Sequence, residues 1–147
     1  MSKKGSGFLK VCFSVLGQPF GKQRPRHNRF SGTTYTPQQT KEHEENIAWE
    51  YRRQCGSFRF PDNAYLDLRV IAYMKIPKSM TKEERVMIRQ DRLRPTTTPD
   101  WDNIGKLVAD ALNGVAYKDD KYIVDSQVRK FYSDVPRIDV VIQTATT

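Results

Sequence analysis

Only two of the chain's 147 residues are cysteine, Cys12 and Cys55, and they stand far apart. That supply fits neither a structural zinc site nor a redox pair, and nothing in it calls for an oxidising compartment. Cys12, inside FLKVCFSVL, falls at a strand position and reads as a buried free thiol. Long apolar runs are missing too. None approaches the roughly 20 residues that cross a bilayer, and MSKKGSG has no apolar signal core, so no membrane partner is expected and the cytoplasm is the expected compartment. Histidine is as scarce as cysteine, with His27 and His43 alone. Internal repeats, low-complexity tracts and interdomain linkers are all absent. Residues 1–7 therefore read as a flexible tail and 8–147 as a single domain. Apolar residues make up only 37% and the mean hydropathy is -0.71, lean enough to expect part of the chain in an exposed basic loop.

Positive charge is what the chain has in excess. Lys and Arg number 25 against 17 Asp and Glu, a formal charge of +8, and the pI is near 9.6. A field of that sign favours a polyanionic partner: DNA, RNA or an anionic membrane surface.

The periodicities describe a small α/β domain with a mixed sheet of about four strands and two or three helices on it. Leu9, Val11, Phe13 and Val15 alternate as a first strand, and Leu66, Leu68, Val70, Ala72, Met74 and Ile76 as a second. IVDSQVRKFYS and RIDVVIQ supply two more, expected to pair as a hairpin around SDVPR. Residues 38–54 read as a helix with Ile47, Ala48 and Tyr51 on one face. Thr81 and Glu84 form a capping box ahead of a short helix. GQPFGKQRPRHNRFSGTTYTP, rich in Gly, Pro and Arg, reads as loop throughout.

The segment PDWDNIGKLVADALNG holds the chemistry. Ile104, Leu107, Val108, Ala111 and Leu112 make a core-facing helical stripe, ended by Asn113-Gly114. Asp102, Lys106 and Asp110 recur at i, i+4 and i+8 on the other side. Pro99 imposes an extended entry, which puts Asp100 just before the helix and Asp102 at or near its N-cap. An N-cap needs one acid and contributes about 1 kcal/mol, and Lys106 with Asp110 could be a solvated pair worth a few tenths. Asp100 adds a second acid, and YKDDKY adds Asp119 and Asp120. If the chain returns beside the helix N-terminus, up to four carboxylates converge, a self-repelling group without a cation. Oxygen donors with no His or Cys among them suit Mg²⁺ or Mn²⁺. Carboxylates, a divalent ion and a lysine are what phosphodiester hydrolysis needs.

These residues resemble the RusA family of Holliday-junction resolvases, common in phages and prophages. The family pattern, roughly D-x-D-N-x-x-K-x-x-x-D-A-L and then D-D, is matched at Asp100, Asp102, Asn103, Lys106, Asp110, Ala111, Leu112, Asp119 and Asp120. The resemblance implies a homodimeric α/β fold and Mg²⁺-dependent endonuclease activity that makes paired nicks in four-way junctions. It casts Asp100, Asp102 and Asp120 as essential carboxylates and metal ligands, Lys106 as the catalytic lysine, and Asp119 as a further ligand, with Asp110 in support. Tyr122 stands where many members have Gln.

GQPFGKQRPRHNRF also resembles the basic N-terminal loop of many members. Lys22, Arg24, Arg26 and Arg29 are its candidate DNA contacts, because charges this dense repel one another unless an anion neutralises them. His27 reads as a phosphate contact rather than a metal ligand, and His43 carries no signal. Phe20, Phe30 and Tyr35 either anchor the loop to the core or stack on unpaired bases. Gly105 and Ala109 form a small-residue strip open to a close neighbour, in this chain or a second copy. Two other functions fit parts of the pattern. One is a branched-DNA-binding module that does not cut, its acids serving as caps and ion-pair partners. The other is a metal-dependent nucleotide-sugar transferase, which leaves the arginine loop unexplained.

Overall fold

The computed structural model describes residues 7–146, so all of the expected tail except Gly7 lies outside the described residues. A four-stranded sheet runs in the order β1 (Lys10–Leu16), β6 (Arg137–Thr144), β4 (Leu66–Lys75), β5 (Ile123–Ser133). It is mixed: β6 lies antiparallel to β1 and β4, and β5 lies parallel to β4. Three helices, α1 (Gln38–Cys55), α2 (Lys82–Arg89) and α3 (Trp101–Ala111), complete the main body.

The core follows from alternation. Phe13 and Val15 of β1, Leu66, Leu68, Val70 and Ala72 of β4, and Ile138, Val140 and Ile142 of β6 all turn to one face. There they meet Ile47 and Tyr51 of α1 and the α3 stripe of Ile104, Leu107, Val108 and Ala111. The alternate residues point the other way, where guanidinium groups lie over rings: Arg94 is 4.1 Å from the Phe131 centroid and Arg137 4.0 Å from that of Tyr73. Long basic side chains thus cover apolar surface while keeping their charge in water.

Four expectations change. The last two strands do not form a hairpin. β4 sits between β5 and β6 and bonds to both, which gives the most apolar strand of the sheet two partners instead of an exposed edge. Cys12 is exposed, because a strand that turns Phe13 and Val15 inward must turn the residue between its inward neighbours outward. The basic segment is not all loop. Arg26–Asn28 (β2) and Thr33–Tyr35 (β3) pair as an antiparallel ribbon, β-branched threonines and a tyrosine supplying the strand preference. Finally, Asp100 lies just before α3 as expected, but it is Asp100 and not Asp102, two residues on, that takes the N-cap position, and Asp102 lies in the first turn.

The capping box stands as expected. Glu84 N donates to Thr81 Oγ1 at 3.1 Å and Thr81 N to Glu84 Oε1 at 2.8 Å.

Candidate active site

The site is built where α3, the start of β5 and the pinned base of the basic segment meet. Gly105 lets α3 approach the sheet: a Cβ there would stand 3.1 Å from Val128 Cγ2 of β5. The small-residue strip is therefore used within this chain. After α3 the chain turns back through Tyr117, whose hydroxyl donates to Ala109 O at 2.6 Å. Asn113 Oδ1 accepts from Asp120 N at 2.8 Å, which ties the 3-10 turn Asp120–Tyr122 to the end of the helix.

This return sets the acids. Asp102, Lys106 and Asp120 line one open groove together with Trp101, Gly105, Ala109, Ile123 and Ser126. Trp101, which the sequence reading left without a role, is an exposed ring on the groove's wall. Asp110, one turn past Lys106, and Asp119 are the acidic neighbours of Asp120. Burial first, and then these two acidic neighbours, push the Asp120 carboxyl up to about 6. Asp119 turns partly away: its Oδ1 caps the 3-10 turn by accepting from Lys121 N at 2.9 Å, which holds its own carboxyl below the usual range.

Asp100 stands apart. It makes no side-chain cap hydrogen bond, and it lines a neighbouring hollow with Phe20, Gly21, Gln23, Pro99 and Asn103. Residues two positions apart at a helix start point to nearly opposite sides of the axis, so Asp100 and Asp102 diverge. Among the described residues no three acids, histidines or cysteines are grouped so as to hold a metal ion. The donor set still suits a hard divalent cation of the Mg²⁺ kind, which takes one or two carboxylates and completes its shell with water and substrate phosphate. Asp102 and Asp120, on the shared groove, are the two that could hold such an ion, and the crowding that raises Asp120 is what a cation would relieve.

The expected DNA contacts divide into two groups. Lys22 faces inward and is salt-bridged to Asp110 and, at 3.3 Å, to Glu44 of α1. Burial opposes its charge, but the hydrogen bond and charge of Asp110, with Glu44 adding to both, outweigh that and hold its pKa above the ordinary value. The backbone around it is pinned as well. Lys22 N donates to Asn103 O at 2.9 Å, and Gln23 exchanges hydrogen bonds with the fully buried Thr40. Phe20 stacks on His43 with centroids 4.0 Å apart, an anchor and not a free ring. Gly21 is required here, since a Cβ would come within 2.7 Å of Pro99 Cβ. Arg24, Arg26, His27 and Arg29 are exposed, and none of them is in a salt bridge among the described residues.

Fold and site define a class of molecule: a small, basic, mixed α/β domain that gathers two carboxylates and a lysine in one groove and carries exposed arginines on and around a β-ribbon. The family model described as Endodeoxyribonuclease RusA matches residues 17–143. The chain is also similar to the uncharacterized protein YqaN of Bacillus subtilis (strain 168), with 36% identity over 137 residues, covering 90% of this chain and 95% of that one. The chain belongs to the RusA endodeoxyribonuclease family.

Proposed function

We propose that the protein resolves Holliday junctions as a homodimer, making paired nicks in four-way DNA with Mg²⁺, for which Mn²⁺ can substitute. The observation that carries this reading is the groove shared by Asp102, Lys106 and Asp120 in a member of this family. Asp102 and Asp120 would hold the ion. When bound, it supplies Lewis-acid polarisation of the scissile phosphate and of the attacking water. Lys106, projecting from the same wall one turn after Asp102, lowers the cost of negative charge building on the phosphate oxygens. Asp110 and Asp119 press on Asp120 and so favour a cation beside it. Asp100 and Asp119 are the remaining candidate ligands, with Asp100 reaching the ion only if the helix entry shifts on DNA binding. Two cuts in a two-fold symmetric substrate call for two grooves, hence a pair of chains. The setting is the cytoplasm, where host and phage DNA are recombined, with a phage or prophage origin in keeping with the family.

A module that binds branched DNA without cutting it is the second reading. It is favoured by the single observation that no three acidic or other ligating side chains are grouped so as to hold a metal ion among the described residues. One experiment separates the two. A synthetic four-way junction and a linear duplex of the same sequence are incubated with the protein in Mg²⁺ and in EDTA, beside Asp102→Asn. Nicks in the junction alone, in Mg²⁺ alone, and reduced more than about a hundredfold in the variant are expected. Binding without a cut in either Mg²⁺ or Mn²⁺ would establish the module.

A further inference from the structure

The ribbon β2–β3 ends in a feature that the arginines do not explain. Its turn, Arg29 to Gly32, is internally braced: Asn28 Oδ1 accepts from Phe30 N at 2.9 Å and from Ser31 N at 3.2 Å, and Gly32 N donates to Asn28 O at 2.8 Å. The hydroxyls of Ser31 and Thr33 are 2.7 Å apart. Gly32 takes φ 72, a left-handed conformation that glycine adopts without strain. On this braced tip Phe30 is 96% exposed. A phenyl ring left almost wholly in water does nothing for the fold, because the folded and unfolded states expose it alike.

Three aromatics attend the basic segment, and the structure sorts them. Phe20 is stacked on His43, Tyr35 is half-exposed at the ribbon's base, and Phe30 alone projects from the tip. Charge identifies what the tip meets. No Asp or Glu precedes Glu42, and Arg24, Arg26 and Arg29, the exposed arginines that precede the ring in this segment, have no carboxylate partner among the described residues. An exposed ring on a segment of exposed guanidinium groups complements an unpaired base on a phosphate backbone.

We infer that the ribbon reads the branch point of its DNA: Phe30 stacks on a base exposed where the arms of the junction part, and Arg24, Arg26 and Arg29 hold the phosphates on either side. This rests on the reading of the protein as a junction nuclease. In fully paired duplex the bases are already stacked on one another, so the ring finds its partner only at a branch. The ribbon thereby contributes selectivity for structure, separately from the chemistry in the groove.

The test uses the full chain in EDTA with a four-way junction and a linear duplex, each carrying 2-aminopurine either at the branch position or ten base pairs away. Phe30→Ala is compared with Phe30→Trp; a side chain this exposed can be changed without unfolding the domain. Expected are a change in 2-aminopurine emission at the branch position only, abolished in Phe30→Ala and kept in Phe30→Trp, and junction binding about tenfold weaker in Phe30→Ala with duplex binding unchanged. Equal binding by wild type and Phe30→Ala, with wild-type cleavage intact, overturns the inference and leaves the nuclease reading standing. A change of sedimentation in Phe30→Ala without any change in DNA binding also overturns it, and assigns the ring to contact between copies. A wild-type protein that neither prefers nor cuts junctions defeats the nuclease reading and the inference together.

Discussion

Lys22 and Arg26 lie four residues apart in one basic segment, carry the same charge, and have opposite surroundings. Lys22 is folded against Asp110 and Glu44 and belongs to the acidic side of the molecule. Arg26, on a ribbon whose strands are exposed throughout, has no such partner among the described residues. Net charge counts the two alike. What separates them is the pinning of residues 20–23 by Thr40, His43 and Asn103, which ends before the ribbon begins. The basic segment is thus two devices in series: a half-buried counter-charge set against Asp110 and Glu44, and an exposed arm offering cations to a polyanion.

The comparison is broken most forcefully by neutralising one cation from each half. Lys22→Met leaves Asp110 and Glu44 without their shared counter-charge, with Asp110 still beside Asp120. Because these side chains are only partly buried, the expected cost is about 1–2 kcal/mol, below that of a fully buried pair, seen as a drop of roughly 3–8 °C in Tm. Arg26→Met should move Tm by less than about 2 °C, as a solvated surface substitution does. Differential scanning calorimetry on both, without DNA or added metal, makes the check. Equal shifts would erase the distinction.

Acid sharpens the comparison by a smaller effect. His43, stacked on Phe20, has its pKa lowered chiefly by burial, with Glu42 pulling weakly the other way. A base whose folded pKa is depressed contributes stability above its unfolded value of about 6.5, lost as pH falls through the folded value. The anchored half should therefore weaken in acid. Between pH 7.5 and 5 the wild-type Tm is expected to fall further than that of His43→Gln, and titrating both by calorimetry reads the difference. Parallel profiles would remove His43 from the anchor.

How much of this was legible in the sequence depends on the range of the interaction. The α3 stripe and the Thr81–Glu84 box are local patterns, and both stand where the periodicity and spacing put them. Strand neighbours are not local. The edge that β4 offers to β5 and β6 is settled by burying the most apolar strand on both sides, which no turn signal reports. Strands of three residues are too short for any alternation to show, so the ribbon read as loop. Lys22 meets Asp110 across 88 residues, a pairing invisible to spacing. Cys12, in contrast, was misplaced although the signal was present: once Phe13 and Val15 are taken inward, position 12 must face outward. Around the site the sequence named the acids, but only the packing of α3 on β5 shows that Asp102 and Asp120 share a groove while Asp100 turns aside.

The central claim is that the groove carries the chemistry and the ribbon the binding, and one paired measurement tests it most directly. Junction affinity and single-turnover cleavage are determined for Asp102→Asn and for Arg24, Arg26 and Arg29 changed together to Ala, over a range of salt. The groove variant should bind as tightly as wild type and cut more than about a hundredfold more slowly. The ribbon variant should lose affinity, with the slope of log K against log salt reduced by about 2–3, yet cut at close to the wild-type rate once saturated. Cleavage and affinity falling together in both variants would contradict it.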